Sequence, residues 1–434
     1  MQKWADWGSS RWAAGLILGL AWGWAGGMTA SAQPYGVDLR NTLMPASGGM
    51  AGTSVAAPQD FLSAINGNAA ALTQYAGTHF TIGGAFVEPT VRLSQSENIP
   101  TLGVNPFSEK SSTPGGIVPT IGVSQQLDGL PLPTTVGIAV LGAAGGGTSY
   151  LQAPASNGTS SYLLILEFAP SVAVALTERL SVGATMFIGD GYSSGPFLGK
   201  SAMTNAYALR GGVGIDYLLG DATRLGAYYQ STQAFRFQNE VILLNQTAPI
   251  DVDIGLPQTV GLGISNESLM DGRLLLAADA LFLDWSSAAL FQSKYRPQWV
   301  MQLGMQYRAT DKLKLRTGYA FAENPIDGNA GTSIGPVVVP GGLPAVKYLQ
   351  AQFGVVNQHR LTAGFGYADV IPGLDFDAFA GGMLPASELF GQSTRIDICS
   401  YWIGLGFTWH FDRPPSPLAA AGPRTSPEPR CGCD

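Results

Sequence analysis

Few residues of this chain have both the type and the spacing for chemistry. Gly191 to Gly195 reads GYSSG, the G-x-S-x-G pattern in which a serine nucleophile sits on a sharp turn between a strand and a helix. The PFLGK that follows is a poor start for a helix, and the three histidines that could act as base, His79, His359 and His410, stand in no recognisable motif. Hydrolysis at Ser193 stays as an alternative for a lipase assay on Ser193→Ala, and no catalytic residue is assigned. Cys431 and Cys433 close the sequence as CGCD and could hold a metal or cross-link. Three cysteines make no disulfide framework, however, and no metal or cofactor is assigned. Cations are the better prospect. Arg210, Lys314, Arg316 and Arg360 each sit in glycine-bearing segments, and a guanidinium matches a carboxylate in geometry. That carboxylate could belong to a ligand, or to Asp216, Asp375 or Asp377 of the chain itself, because charge held away from water needs partners.

The elements that would position these cations show a period of two. In YWIGLGFTWHF, residues 401–411, Tyr401, Ile403, Leu405, Phe407, Trp409 and Phe411 share one face, with Trp402, Gly404, Gly406, Thr408 and His410 opposite. In KLKLRTGYAFA, Leu313, Leu315, Thr317, Tyr319 and Phe321 oppose Lys312, Lys314, Arg316, Gly318 and Ala320. In YALRGGVGIDY, Tyr207, Leu209, Val213, Ile215 and Tyr217 oppose Arg210, Gly212, Gly214 and Asp216. In RLTAGFGYA, Leu361, Ala363, Phe365 and Tyr367 oppose Arg360, Thr362, Gly364 and Gly366. A soluble secreted sheet would carry polar residues on its outward face. Here one face is continuously apolar and the other is small or charged, which suits lipid outside and a partly filled lumen inside.

These segments run about ten residues, the length of a tilted membrane strand. They start near Thr78, Gly116, Thr134, Tyr162, Leu180, Ala206, Arg224, Gln258, Arg273, Gln298, Lys312, His359, Leu374 and Ile396, which predicts about fourteen strands. The connections alternate between tight polar turns (LTER, LGDA, ESLMDG, ATDK, VIPG) and long excursions, as in an outer-membrane barrel. Closure is required, because an open edge in hydrocarbon leaves unpaired backbone groups costing several kcal/mol each. The expected fold is therefore all-β: a transmembrane antiparallel β-barrel with both ends of the chain on the periplasmic side.

Composition agrees. Only 12% of the 434 residues are charged, and glycine numbers 57. A net charge of −7 with no basic stripe excludes a nucleic-acid partner. Residues 1–32 read as a secretory signal peptide: Lys3 and Arg11, an apolar run, then ASA ending at Ala32. The longest later apolar run, from Tyr162, is broken by Glu167 and Pro170 and is too short for a membrane helix. Residues 33–77 precede the first strand, residues 78–411 form the barrel, and the Pro-rich 412–434 is expected to be a disordered periplasmic tail.

Residues 33–77 resemble the N-terminal plug of FadL-type outer-membrane transporters of long-chain fatty acids and other hydrophobic compounds. Ser47, Gly48, Gly49, Ala51 and Gly52 match that family's glycine-rich segment, Asp60 its acid, and Asn68, Ala69 and Ala70 its Asn-Pro-Ala motif. Ala69 stands where the family has proline, which would leave that corner less rigid. LEFAPSVAVALTERLSVGATMFIG, LPQTVGLGI, ADALFLDWSSA, MQLGMQYRATDKLKLRTGYAFAENPI and HRLTAGFGYA are similar to later family segments, so the resemblance runs over nearly all of residues 35–411.

The resemblance implies a plug inside the lumen, passive uptake of hydrophobic molecules, and exit through an opening in the wall, here around TTVGIAVLGAAGGG. It places substrate capture in loops that hold Phe197, Leu198 and Met203, and Val241, Ile242, Leu243, Leu244 and Ile250. In the lumen, Arg210, Lys314, Arg316 and Arg360 could then meet a substrate carboxylate. The expected protein is a monomer without cofactor or enzymatic activity. It resides in the lipid of a Gram-negative outer membrane and is inserted there by the barrel-assembly machinery. The alternatives are a general porin, an adhesin-like surface barrel or, through Ser193, an outer-membrane lipid hydrolase.

Overall fold

Alternating apolar and small residues make two-faced strands, and two-faced strands in lipid must close. The computed structural model describes residues 39–195, 200–201, 203–242, 248–292, 294–329, 331–334, 337–353 and 358–411. The expected signal peptide, residues 33–38, the tail with Cys431 and Cys433, and Phe197, Leu198, Leu243 and Leu244 lie outside the described residues.

Fourteen strands form the wall: β1 Thr78–Gln95, β2 Gly116–Leu127, β3 Thr134–Ser149, β4 Ser160–Ala175, β5 Leu180–Ser194, β6 Thr204–Leu219 and β7 Thr223–Gln230 make one half. The other half is β8 Gln258–Leu269, β9 Leu274–Asp284, β10 Gln298–Arg308, β11 Leu313–Ala322, β12 His359–Ile371, β13 Leu374–Phe390 and β14 Thr394–His410. Each pairs antiparallel with its sequence neighbours, and β1 closes the cylinder by pairing with both β2 and β14. The starts read from the sequence fall within two residues of these. A short strand, Phe107–Lys110, adds to the outer end of β1.

The faces divide as the period demands. Leu209, Val213 and Ile215 of β6 and Tyr401, Ile403 and Leu405 of β14 are exposed on the outside. Arg210, Asp216 and Trp402, on the other face, are buried. One end of the barrel carries short turns, such as 176–179, 220–222 and 372–373; the other carries most of the long connections.

Two of those long connections are not open loops. After Gln230 the chain leaves the wall, and Gln233–Ile242 pairs with Ile250–Leu256 in a hairpin of its own. Pro257, which has no N–H to give a ladder, marks the bend on the returning strand. The hairpin folds inward. Phe235 and Phe237 stack at 6.1 Å, are fully buried, and lie against the lumenal side of β5 at Gly191. The second connection, between β11 and β12, contains a helix, α1 (Gly342–Ala351), which buries Val346, Tyr348 and Leu349. Its Tyr348 hydroxyl meets that of Thr159 at 2.8 Å, and Gln350 donates to the Lys294 carbonyl at 2.9 Å. The long-loop end is thus packed with apolar side chains.

Candidate functional site

Residues 39–77 fill the lumen at the short-turn half. They form 3-10 turns at Arg40–Leu43, Ser47–Met50 and Ala69–Gln74 and one helix, α2, at Phe61–Asn66. This segment has almost no room of its own, so its backbone groups must be satisfied by itself or by the wall.

Asp60 organises it from within. One carboxylate oxygen caps α2 by accepting from the Ser63 amide at 2.8 Å, and the other accepts from the Ala46 and Ser47 amides at 3.1 and 2.9 Å. Asn68 ties the segment to the wall. Its amide donates to the Val55 carbonyl at 2.8 Å and to Ile215 of β6 at 3.0 Å, while its oxygen accepts from the Ala70 amide. Ala69 and Ala70 are buried against Gly183 of β5, where an added Cβ would lie 2.5 Å from the Ala69 carbonyl carbon and the Ala70 nitrogen. Gly318 of β11 likewise leaves room for the Met50–Ala51 backbone. The glycine face of the wall therefore exists to admit a second layer of chain.

The wall supplies the remaining partners. Asp279 of β9 accepts from the Ser54 and Val55 amides at 2.6 and 3.0 Å. The Thr362 hydroxyl accepts from the Ala51 amide at 2.8 Å, and Gln302 donates to the Ala51 carbonyl at 2.9 Å. Arg40 donates to Asn66 and to Gln230 of β7, which itself donates to the Asn66 carbonyl at 2.8 Å. Contacts with β5, β6, β7, β9, β10 and β12 hold the segment on several sides.

The four cations expected to face a ligand do face inward, and carboxylates of the chain hold Arg210 and Arg316. Arg210 pairs with Glu167 at 2.9 Å and lies 4.6 Å from the Phe187 ring centroid, rather than meeting an aspartate as expected. Arg316 pairs with Asp377 at 2.5 Å and donates to Gln306. Asp216 is taken by Arg224 and Asp375 by His410, each at 2.9 Å. Arg360 is fully buried. Lys314 is half-buried and lines a cavity of about 130 Å³ at the short-turn end, with Asp60, His79, Asp375, Asp377 and His410. Glu167 was visible in the sequence only as the lone charge in YLLILEFAP. Asp279 and Gln230 carried no motif.

The expected capture residues are less gathered. Met203 is 62% exposed just before β6. Val241 is buried and Ile242 and Ile250 lie in the inward hairpin, not in a loop, because that hairpin's aromatic face is covered by the wall. Ser193 lies inside β5, not at a strand-to-helix turn. Its hydroxyl donates to Glu240 at 2.7 Å, while His79 and His410 meet at the opposite end and His359 meets the Tyr319 hydroxyl. Burial pushes the Glu240 carboxyl up to about 7, against the opposing hydrogen bond from Ser193.

The wall itself has a seam. β2 pairs with β3 only from Ile121–Val140 to Leu127–Thr134, so residues 141–149 of β3 have no β2 partner. Pro119 lies on the β2 side, and a register shift separates Gly142 from Ala144 on the β3 side. Gly145 to Gly147 belong to the strand. The seam falls in the stretch TTVGIAVLGAAGGG.

Residues 200–337 match the outer membrane protein transport protein family (OMPP1/FadL/TodX). No curated protein sequence matches the chain. Among solved structures, the chain is similar to the toluene transporter TodX of Pseudomonas putida, at 18% identity and a TM-score of 0.62, over 85% of this chain and 99% of that one. A FadL homologue of Pseudomonas aeruginosa matches at 14% identity and 0.62, over 86% and 100%. The toluene transporter TbuX of Ralstonia pickettii matches at 18% and 0.57, over 85% and 98%. At such identities the likeness is one of fold.

Proposed function

We propose that this FadL/TodX-type barrel of the Gram-negative outer membrane admits hydrophobic molecules, either long-chain fatty acids or small aromatic hydrocarbons, by diffusion past a displaceable plug. The solved relatives include toluene transporters and a FadL homologue, which supports both substrate classes. On this reading the long-loop end faces outward and the short-turn end faces the periplasm. Residues 1–32 direct export, 33–77 are the plug and 78–411 the barrel. The chain acts as a monomer in lipid after insertion by the barrel-assembly machinery, without cofactor and without catalysis.

The observation that carries the proposal is the pairing of a stoppered lumen with an incomplete wall. A water-filled pore gives an apolar solute nothing, since each methylene kept from water is worth about 0.8 kcal/mol. A substrate entering through the apolar packing at Phe235, Phe237 and Val346 and leaving at the β2–β3 seam would meet hydrocarbon at both ends. Lys314, which lines the cavity at the short-turn end, is the lumenal cation we assign to an acidic head group, and we assign Met203 with the residues around Leu243 and Leu244 to first capture.

Planar-bilayer conductance and solute uptake test this together. The intact protein should show no large steady channel, deletion of residues 33–70 should raise conductance, and cells carrying the protein should take up oleate or toluene faster. A large steady channel from the intact protein would place it among general porins. Cell binding without uptake would make it an adhesin.

A further inference from the structure

We infer that His79, His410 and Asp375 form a proton-dependent latch that fastens the end of the plug to the barrel at the periplasmic face; this rests on reading residues 39–77 as a plug. All four imidazole nitrogens of the two histidines are engaged. His79 Nε2 meets the carbonyl of Ala76, just past the last turn of the plug, at 2.8 Å. Its Nδ1 meets Nδ1 of His410 at 2.8 Å, across the seam where the first strand joins the last. His410 Nε2 meets Asp375 Oδ2 at 2.9 Å, and Asp375 Oδ1 is aimed by the Asp369 amide at 2.9 Å.

The hydrogens can be counted. The Ala76 carbonyl only accepts, so His79 Nε2 carries one. An ionised Asp375 only accepts, so His410 Nε2 carries another. The contact between the two Nδ1 atoms needs one more, since two lone pairs at 2.8 Å repel. Three hydrogens on two rings is one more than two neutral imidazoles hold. Moving the extra proton to Asp375, which then donates to His410, leaves the total unchanged. The complete chain of contacts therefore exists only while it holds one proton beyond the neutral rings and the carboxylate. When that proton leaves, one of the three contacts must break, and rotation of His79 frees Ala76.

The surroundings make the release consequential. Tyr75 stands edge-on to the His79 ring at 5.9 Å and Phe61 lies at 6.3 Å, so the ring is wedged between the plug helix and its last turn. The charged and titratable groups facing the pair are Asp60 and the neutral Tyr75 hydroxyl from the plug, Lys314 and Arg316 from β11, and Asp375 and Asp377 from β13. Arg316 is committed to Asp377, and the three carboxylates exceed the two cations by one, a charge that the extra proton of the latch offsets.

Amide hydrogen exchange on the full chain in detergent, from about pH 5 to about pH 8, tests the latch. After correction for intrinsic exchange, peptides spanning residues 69–77 should lose roughly tenfold protection across that interval, while strand β9 keeps its own. The step should vanish in His410→Gln and in His79→Gln, whose amides do not titrate. A flat profile in the parent protein, or an unchanged step in either variant that folds, overturns the latch. Neither result touches the uptake assays, whose failure would sink the transport reading while leaving a pH step in the plug intact.

Discussion

Removing the Asp279 carboxylate should unseat the middle of the plug. This side chain is buried and accepts the amides of two successive plug residues, Ser54 at 2.6 Å and Val55 at 3.0 Å. In Asp279→Ala both donors remain buried and lose their acceptor, at about 1–3 kcal/mol each. The docked plug is then weakened by roughly 2–6 kcal/mol, since tertiary neighbours give little room for water to substitute. At about 1.4 kcal/mol per tenfold, the undocked population rises roughly 30-fold to 10⁴-fold. Two readouts follow. Hydrogen exchange of residues 50–57 should quicken by at least the lower of those factors, and single-molecule bilayer records should show brief openings that the parent lacks. Asp279→Asn, which keeps one oxygen acceptor, should fall between. Unchanged exchange and unchanged records in a folded Asp279→Ala protein would refute the idea that wall-to-backbone hydrogen bonds hold the plug.

Three further outcomes are expected. Gly183→Val should push the Ala69–Gln74 turn off β5 and cost about 1–3 kcal/mol, seen as a lower melting temperature in detergent; Gly211→Val, with open space around the added Cβ, is the matched control and should melt like the parent. Arg210→Met should destabilise by about 3–5 kcal/mol because it strands Glu167, whereas Arg210→Met with Glu167→Leu should recover most of the loss in the same melts. The Glu240 carboxyl is raised to about 7, so the folded hairpin binds its proton more tightly than the open chain. The seating of the hairpin should therefore weaken as pH rises from about 4.5 to about 7 and level off above, and Glu240→Gln should hold it constant, as read by exchange of residues 233–242.

The barrel was legible because its rule is short. Period-two alternation, with apolar residues on one side and glycine on the other, places β6, β11, β12 and β14 almost to the residue. What it does not contain is any term for layers inside the wall. The inward turn of the hairpin after Gln230 depends on Phe235 and Phe237 finding the face of β5 at Gly191, a contact between segments more than forty residues apart. Asp60, Asn68, Ala69 and Ala70, the residues that suggested a plug, lie around α2 and the Ala69–Gln74 turn. The partners of the lumenal cations were only half readable. Arg316 with Asp377 was among the pairs foreseen. Arg210 with Glu167 was not, since a lone glutamate in an apolar run reads as an interruption until the strand is known to have an inside.

The direct pairing of β1 with β14 sets an order on how the molecule can be made. The plug runs straight into β1, and β1 finds its last partner only when Thr394–His410 has been synthesised. Until then the sheet is an open scroll, and residues 39–77, which lead directly into its first strand, can lie along its inner surface before the edges meet. The contents can thus be packed before the cylinder is sewn shut.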